Sequence, residues 1–194
     1  LKTIGDIDID VKSSFERSVF GWTRASIYEA EKQILKPHPV GCHPQQIAVD
    51  PMTKLAALPY ESAEAAGYAK VDFLTLNIYD RVVDREELLK FISEEPDWSM
   101  LQDEKVQPKL FQLHGHGEIL KQLKPSCLAD VADILALVRP GKMKLIGLYS
   151  KSKDLAHDVL WEVSSTGYQF KKSHAYSYAM VIQVQLHLIK QGRM

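Results

Sequence analysis

Apolar and acidic positions alternate at the start of the chain, where Ile4, Ile7 and Ile9 interleave with Gly5, Asp6, Asp8 and Asp10. This period of two predicts a short strand with its carboxylates on one face. From Lys12 to Leu35, Phe15, Val19, Trp22, Ala30 and Ile34 fall near helical spacing and predict a long amphipathic helix, weakened at Gly21. Lys36 to Pro44 must be irregular, because three prolines exclude a helix there. A strand is expected at Gln46 to Val49, a helix at Glu61 to Ala66 stopped by Gly67, and a core strand at Ala69 to Leu74.

Asp84 followed by Glu87 forms a capping-box pattern that opens a helix to Ile92, and Glu94 to Gln107 reads as a helical turn and loop. Leu110 to Leu113 predicts a short strand and His116 to Lys124 a helix halted before Pro125. Ser126 is placed to cap a helix with Leu128, Val131, Leu135 and Val138 on one face, ending at Arg139-Pro140-Gly141. A strand near Lys144 to Tyr149, a helix from Lys153 to Val163 and a long helix from Ser173 to about Lys190 complete the pattern. Strands and helices alternate throughout, so the expected class is α/β or α+β with a modest mixed sheet.

Composition narrows the possibilities without deciding function. With 45% hydrophobic and 25% charged residues, the 194-residue chain has an ordinary globular balance. No apolar run approaches the ~20 residues of a membrane span. Acidic residues also interrupt the opening LKTIGDIDID, which does not read as a signal peptide. Cys42 and Cys127 lack metal-ligand spacing, and a reducing cytoplasm is the default compartment. The net charge of −1 hides a basic second half, with Lys142, Lys144, Lys151 and Lys153 close together and Lys171 beside Lys172.

Three like charges spaced roughly 7 Å apart on one strand face repel unless a cation lies between them. An isolated D-x-D is more often an acidic edge than a site. Asp72 changes the balance, because it is the single acid in the apolar run VDFL. A buried carboxylate is costly unless it is paired or metal-bound. Mg²⁺ suits such oxygen ligands, and Mn²⁺ can substitute. Two ions about 4 Å apart can activate a hydroxyl and stabilise a leaving pyrophosphate. Lys70, two residues before Asp72, shares its face and brings a cation to the same place.

These residues carry a family resemblance. GDIDIDV resembles the PDFDVDF strand of the C-family bacterial replicases, the alpha subunit of DNA polymerase III. The family's two metal-binding aspartates fall on Asp8 and Asp10, leaving Asp6 a bystander. AGYAKVDFLTL resembles AGLVKFDFLGL, which places the third catalytic aspartate on Asp72 and a phosphate-contacting lysine on Lys70. FQLHGHG with LKPSCLADVADILALVRPGKM resembles FQLESRGM followed by a helix ending in ALFRPGP, which includes Arg139. GYQFKKSHAYSYAM resembles GYGFNKSHSAAYAL and matches Lys172, Ser173 and His174; GCHPQQIAV resembles GKHAGGVVI and matches His43. The resemblance implies a polymerase-beta-like nucleotidyltransferase palm over residues 1–125, with a reduced fingers-like lobe over 126–194. Together they would form one minimal polymerase core.

The departures are also specific. The family's glycine-serine triphosphate-binding helix, which precedes the aspartate strand, either lies before Leu1 or has been lost, and Thr75 replaces a glycine. The fingers between RPG and KSHA shrink to Lys142 through Phe170. His114-Gly115-His116 has the spacing of two zinc ligands without a third, and QPKLF at Gln107 to Phe111 resembles a sliding-clamp-binding peptide. The expectation is template-directed DNA synthesis from primer-template DNA and deoxynucleoside triphosphates, with two Mg²⁺ ions and a cytoplasmic location. The small size suggests a phage-encoded form. The alternatives are an inert palm mimic that binds a host replicase, and a metal-dependent nuclease.

Overall fold

The computed structural model describes residues 7–162 and 170–194. Expectations resting on Ile4, Asp6 and Val163, and the Gly167 end of the GYQF block, lie outside them. The chain divides into two compact units, residues 1–80 and 81–194. The division expected at residue 125 falls inside the second unit.

The first unit carries a mixed sheet of four strands in the order β1-β4-β3-β2. These are β1 (Ile7–Val11), β2 (Thr23–Glu29), β3 (Ile34–His43) and β4 (Val71–Thr75), with helix α1 (Tyr60–Ala65) between β3 and β4. β1 pairs parallel with β4, whereas β3 runs antiparallel to both β2 and β4. Alternation follows the strand pleat. Val11, Val71 and Phe73 with Cys42 form a buried cluster, against which Phe15 and Trp22 pack.

The amphipathic helix expected over Lys12 to Leu35 is instead a β-hairpin preceded by a 3₁₀ turn at Arg17–Phe20. Gly21 ends that turn in the left-handed region (φ 62°), and Gln33 at the hairpin bend is also left-handed (φ 53°). Thr23, Ile27 and Ile34 then suit extended backbone better than helix. The proline segment is extended within β3, not irregular. Pro37 and Pro39 lie where, among the described residues, β3 pairs with β2 alone, since β4 joins only at Gly41 and Cys42. A missing N–H costs least in such a stretch. Gln46 to Val49 forms only an isolated bridge, Val49 to Ala56.

The second unit is helical among the described residues. Its helices are α2 (Arg85–Ser93), α3 (Gly117–Leu123), α4 (Leu128–Leu137), α5 (Ile146–Lys151), α6 (Lys153–Trp161) and α7 (Lys172–Lys190). Asp84 caps α2 as expected, accepting from the Glu87 amide at 2.9 Å. Every residue of α4 from Asp130 to Leu137 is buried, and α7 lies along it through Ala175, Ala179, Ile182 and Leu186.

Two expected strands are absent from this unit. Leu110 to Leu113 forms turns, because Gln185 bonds the Phe111 amide (2.7 Å) and the Lys109 carbonyl (2.9 Å) in place of a neighbouring strand. Lys144 to Tyr149 winds into a 3₁₀ turn and α5, which buries Tyr149. The molecule is therefore mixed α/β, but strands and helices segregate along the chain instead of alternating. No helix among the described residues is long and apolar enough to cross a membrane.

Candidate functional site

The parallel register of β1 on β4 sets Asp8 opposite Asp72 and Asp10 opposite Leu74. Partners in a parallel ladder point to the same face, so the three expected carboxylates share one side of the sheet. On the other side of Asp72, the antiparallel register places Gly41 of β3 directly opposite. Asp8, Asp72 and Gly41 thus form a row across three strands. A Cβ at Gly41 would fall 2.9 Å from Asp72 Oδ1, 2.8 Å from His38 Nδ1 and 3.0 Å from Lys70 Cδ. Glycine there leaves room for the carboxylate.

Asp72 is held from one side. Lys70, only 5% exposed, donates from Nζ to Asp72 Oδ2 at 2.7 Å, with Glu64 at 3.9 Å and the Tyr60 ring centroid at 5.5 Å. A buried ammonium beside a carboxylate offsets part of the desolvation of both. Asp72 Oδ1 is buried without a hydrogen-bond partner among the described residues, with His38 Nδ1 at 4.0 Å. Burial holds the His38 imidazolium below its usual pKa, with Asp72 opposing and Lys70 and Arg24 adding to the depression. Its Nδ1 accepts the Gly41 amide at 2.8 Å, as a neutral ring does. Tyr79 donates its hydroxyl to Asp10 Oδ2 at 3.2 Å, and burial and Asp10 push its phenol well above the ordinary range.

The donor chemistry here fits a hard divalent cation, and the orphan oxygen of Asp72 marks an unmet demand for positive charge. Among the described residues, however, no three His, Cys, Asp or Glu side chains converge closely enough to hold a metal. Lys70 and Tyr79 occupy oxygens that ligation would use. The same observation leaves the His114-Gly115-His116 spacing without a zinc site.

The remaining expected site residues have distinct settings. His43 is fully buried, its Nδ1 2.8 Å from the Ala69 carbonyl. There it ties β3 to the approach to β4, while its Nε2 is buried without a hydrogen-bond partner among the described residues. Arg139, Lys172, Ser173 and His174 belong to the second unit, and the carboxylates belong to the first. Arg139 follows α4, donates to Gln112 Oε1 at 3.0 Å and stacks 4.3 Å above the Phe170 ring, while its Nε is buried without a partner among the described residues. Lys172, Ser173 and His174 form the first turn of α7, where Lys172 and Ser173 are exposed and His174 half-buried. Gln107 and Leu110 of the clamp-like peptide are buried in place, so that stretch is not a free extended segment.

Some residues were missed. Asp133 lies in the buried face of α4 and accepts from Tyr149, His157 and Trp161. Asp130 accepts from Lys153 at 2.9 Å and from the Ser126 amide at 2.9 Å. The available signal was two acids three residues apart inside the apolar run LADVADILALV. Such acids are buried only when paired.

Comparison with known proteins joins these observations. The bacterial DNA polymerase III alpha subunit finger domain model matches residues 83–168, beginning just inside the second unit. The DNA polymerase III alpha subunit of Pseudomonas aeruginosa is 34% identical over 102 residues, covering 43% of this chain and 9% of that protein. The Aquifex aeolicus subunit is 31% identical over 134 residues, covering 55% of the chain and 12% of the relative, and the Rickettsia bellii subunit is 32% identical over 115 residues, covering 50% and 10%. The chain thus spans only 9–12% of the length of these curated relatives. Over these stretches it is similar to the alpha subunits of bacterial DNA polymerase III, and its second unit is similar to their finger domain.

Proposed function

We propose that this chain forms a minimal polymerase core of the DNA polymerase III alpha type, adding deoxynucleotides to a primer 3′-hydroxyl. The observation that carries this reading is the β1–β4 register, which sets Asp8 against Asp72 on one face beside Lys70, in a chain whose second unit resembles polymerase fingers. In this reading the first unit is the palm of a polymerase-beta-like nucleotidyltransferase. Asp8, Asp10 and Asp72 are the residues that would hold two Mg²⁺ ions, and such ions would supply Lewis-acid stabilisation for nucleotidyl transfer.

The chain's own groups do the remaining work. Lys70 steadies Asp72 and places a cation beside the triphosphate. Arg139, Lys172 and His174 meet phosphate charge, with Ser173 beside them at the start of α7. Such preorganised charges stabilise a phosphoryl-transfer transition state without moving. DNA contacts are mainly to the backbone and weaken with salt.

One observation favours a second reading. Lys70 and Tyr79 each occupy one oxygen, of Asp72 and of Asp10, and no three ligands converge among the described residues. A palm in that condition suits an inert mimic that binds a replicase. Primer extension with Mg²⁺, run beside an Asp8→Ala, Asp10→Ala double variant, decides between the two. Extension that disappears in the variant supports the polymerase. Metal-dependent primer shortening would indicate a nuclease, and unchanged primer with both proteins would indicate the mimic.

A further inference from the structure

Three helices of the second unit meet around one buried carboxylate. Asp133 of α4, 4% exposed, accepts the Tyr149 hydroxyl at 3.0 Å and the Trp161 indole N–H at 2.8 Å. His157 Nδ1 lies 3.0 Å from the same carboxylate. His157 and Trp161 are four residues apart on α6, so one face of that helix presents both rings to Asp133. Lys172, at the first turn of α7, brings its Nζ within 3.0 Å of His157 Nε2 and 5.8 Å of the centroid of the Trp161 ring.

The directions of these bonds form a chain. An ionised carboxylate only accepts, so the proton between Asp133 and His157 belongs on Nδ1. A neutral ring with its proton on Nδ1 carries a lone pair on Nε2, which only a donor can approach at 3.0 Å. The Lys172 ammonium is that donor. Trp161, fixed through its N–H, offers its electron-rich face to the same ammonium. An ammonium has three N–H donors, so the bond to His157 leaves others for a ligand. A surface lysine ordinarily samples many rotamers, and ordering it on binding weakens affinity. Here the ordering is built in.

We propose that Asp133 is a positioning residue that, through His157 and Trp161, holds the Lys172 ammonium ready for a phosphate group of a nucleotide or of the DNA backbone. The inference rests on the proposed role of Lys172 in phosphate binding and extends it to Asp133, His157 and Trp161. Nothing in it depends on the metal site.

The test measures phosphate binding and ring state separately. Deoxynucleoside triphosphate and primer-template DNA are each titrated against the full chain and against Lys172→Met, His157→Ala, His157→Gln, Trp161→Phe and Asp133→Asn, with circular dichroism checking that each variant folds. In whichever titration Lys172→Met weakens binding, His157→Ala and Trp161→Phe are expected to weaken it about fivefold. His157→Gln, which retains an acceptor for Lys172, should recover part of the loss. Ring ¹⁵N spectra should show the His157 proton on Nδ1, and Lys172→Met should move the Nε2 resonance. That spectroscopic result needs no bound ligand, so Asp133→Asn can be judged even if polymerase activity is absent. A proton on Nε2, or an Nε2 signal indifferent to Lys172→Met, overturns the cradle itself. Loss of binding in Lys172→Met but not in His157→Ala overturns positioning alone. Binding unaffected by Lys172→Met overturns both the inference and the phosphate role on which it rests.

Discussion

His38 shows how a single ring reports on the carboxylate face. Its Nδ1 accepts the Gly41 amide and sits 4.0 Å from the orphan oxygen of Asp72. Burial is the first cause of its lowered pKa, so the folded state resists the proton that the unfolded chain takes up near 6.5. More protons are then bound in the unfolded state, and stability must fall as pH drops through about 6.5 toward the folded value. A histidine-resolved NMR titration should find His38 titrating below that ordinary value. Asp72→Asn should lower it further, because the nearby negative charge that favours the imidazolium is gone. A midpoint at or above the ordinary value in the folded protein contradicts this account. The protonated ring would also lose the Gly41 bond, so acid should disturb the row formed by Asp8, Asp72 and Gly41.

At the scale of elements, long-range side-chain bonds decided several assignments that local patterning could not. Gln185, 2% exposed on α7, supplies both partners that the backbone at Lys109 and Phe111 needs. Gln185→Ala leaves a buried amide and carbonyl unpaired, and should cost about 2–4 kcal/mol in chemical denaturation of the second unit. A loss below about 0.5 kcal/mol would mean that water or a shifted backbone replaces it.

The apolar pattern of Leu110 to Leu113 looks like a strand because it is buried, and its partner is invisible 74 residues away. The helix expected across Lys12 to Leu35 failed for a different reason. Its apolar spacing was nearly helical, but Gly21 and Gln33 adopt left-handed backbone, and the β-branched Thr23 and Ile27 lie between them. By contrast, Asp84 with Glu87, Ala69 to Leu74 and the apolar face of α4 were legible because local chemistry and tertiary packing agree there. At the candidate site, period-two spacing put Asp8 with Asp10 on one strand face and Lys70 with Asp72 on another, while the choice of Asp8 and Asp10 over Asp6 came from the family resemblance. The vacant side of Gly41, the hold of Tyr79 on Asp10 and the Asp133 hub could not, since each depends on a contact between distant segments.

Across the molecule, contacts differ in how far apart their partners lie along the chain. β2 and β3 are joined by a tight bend, and their pairing is local. β1 meets β4 only after the whole hairpin and α1 have intervened, with Ile7 paired to Val71 and Val11 to Thr75. Closing so long a loop carries an entropic cost before any ladder bond forms, so the parallel ladder is expected to assemble after the hairpin. It is also the outermost ladder on its side of the sheet, and Ile7 and Ile9 remain 45% and 38% exposed. Amide exchange in native conditions should therefore release Ile9 and Val11 before the central amides of β2 and β3; equal protection would exclude separate opening. The apposition of Asp8 with Asp72 then exists only while a late-forming, early-opening seam is shut. Whatever chemistry that face performs is gated by a folding equilibrium, and a ligand bridging the two strands would act as a clasp on the fold itself.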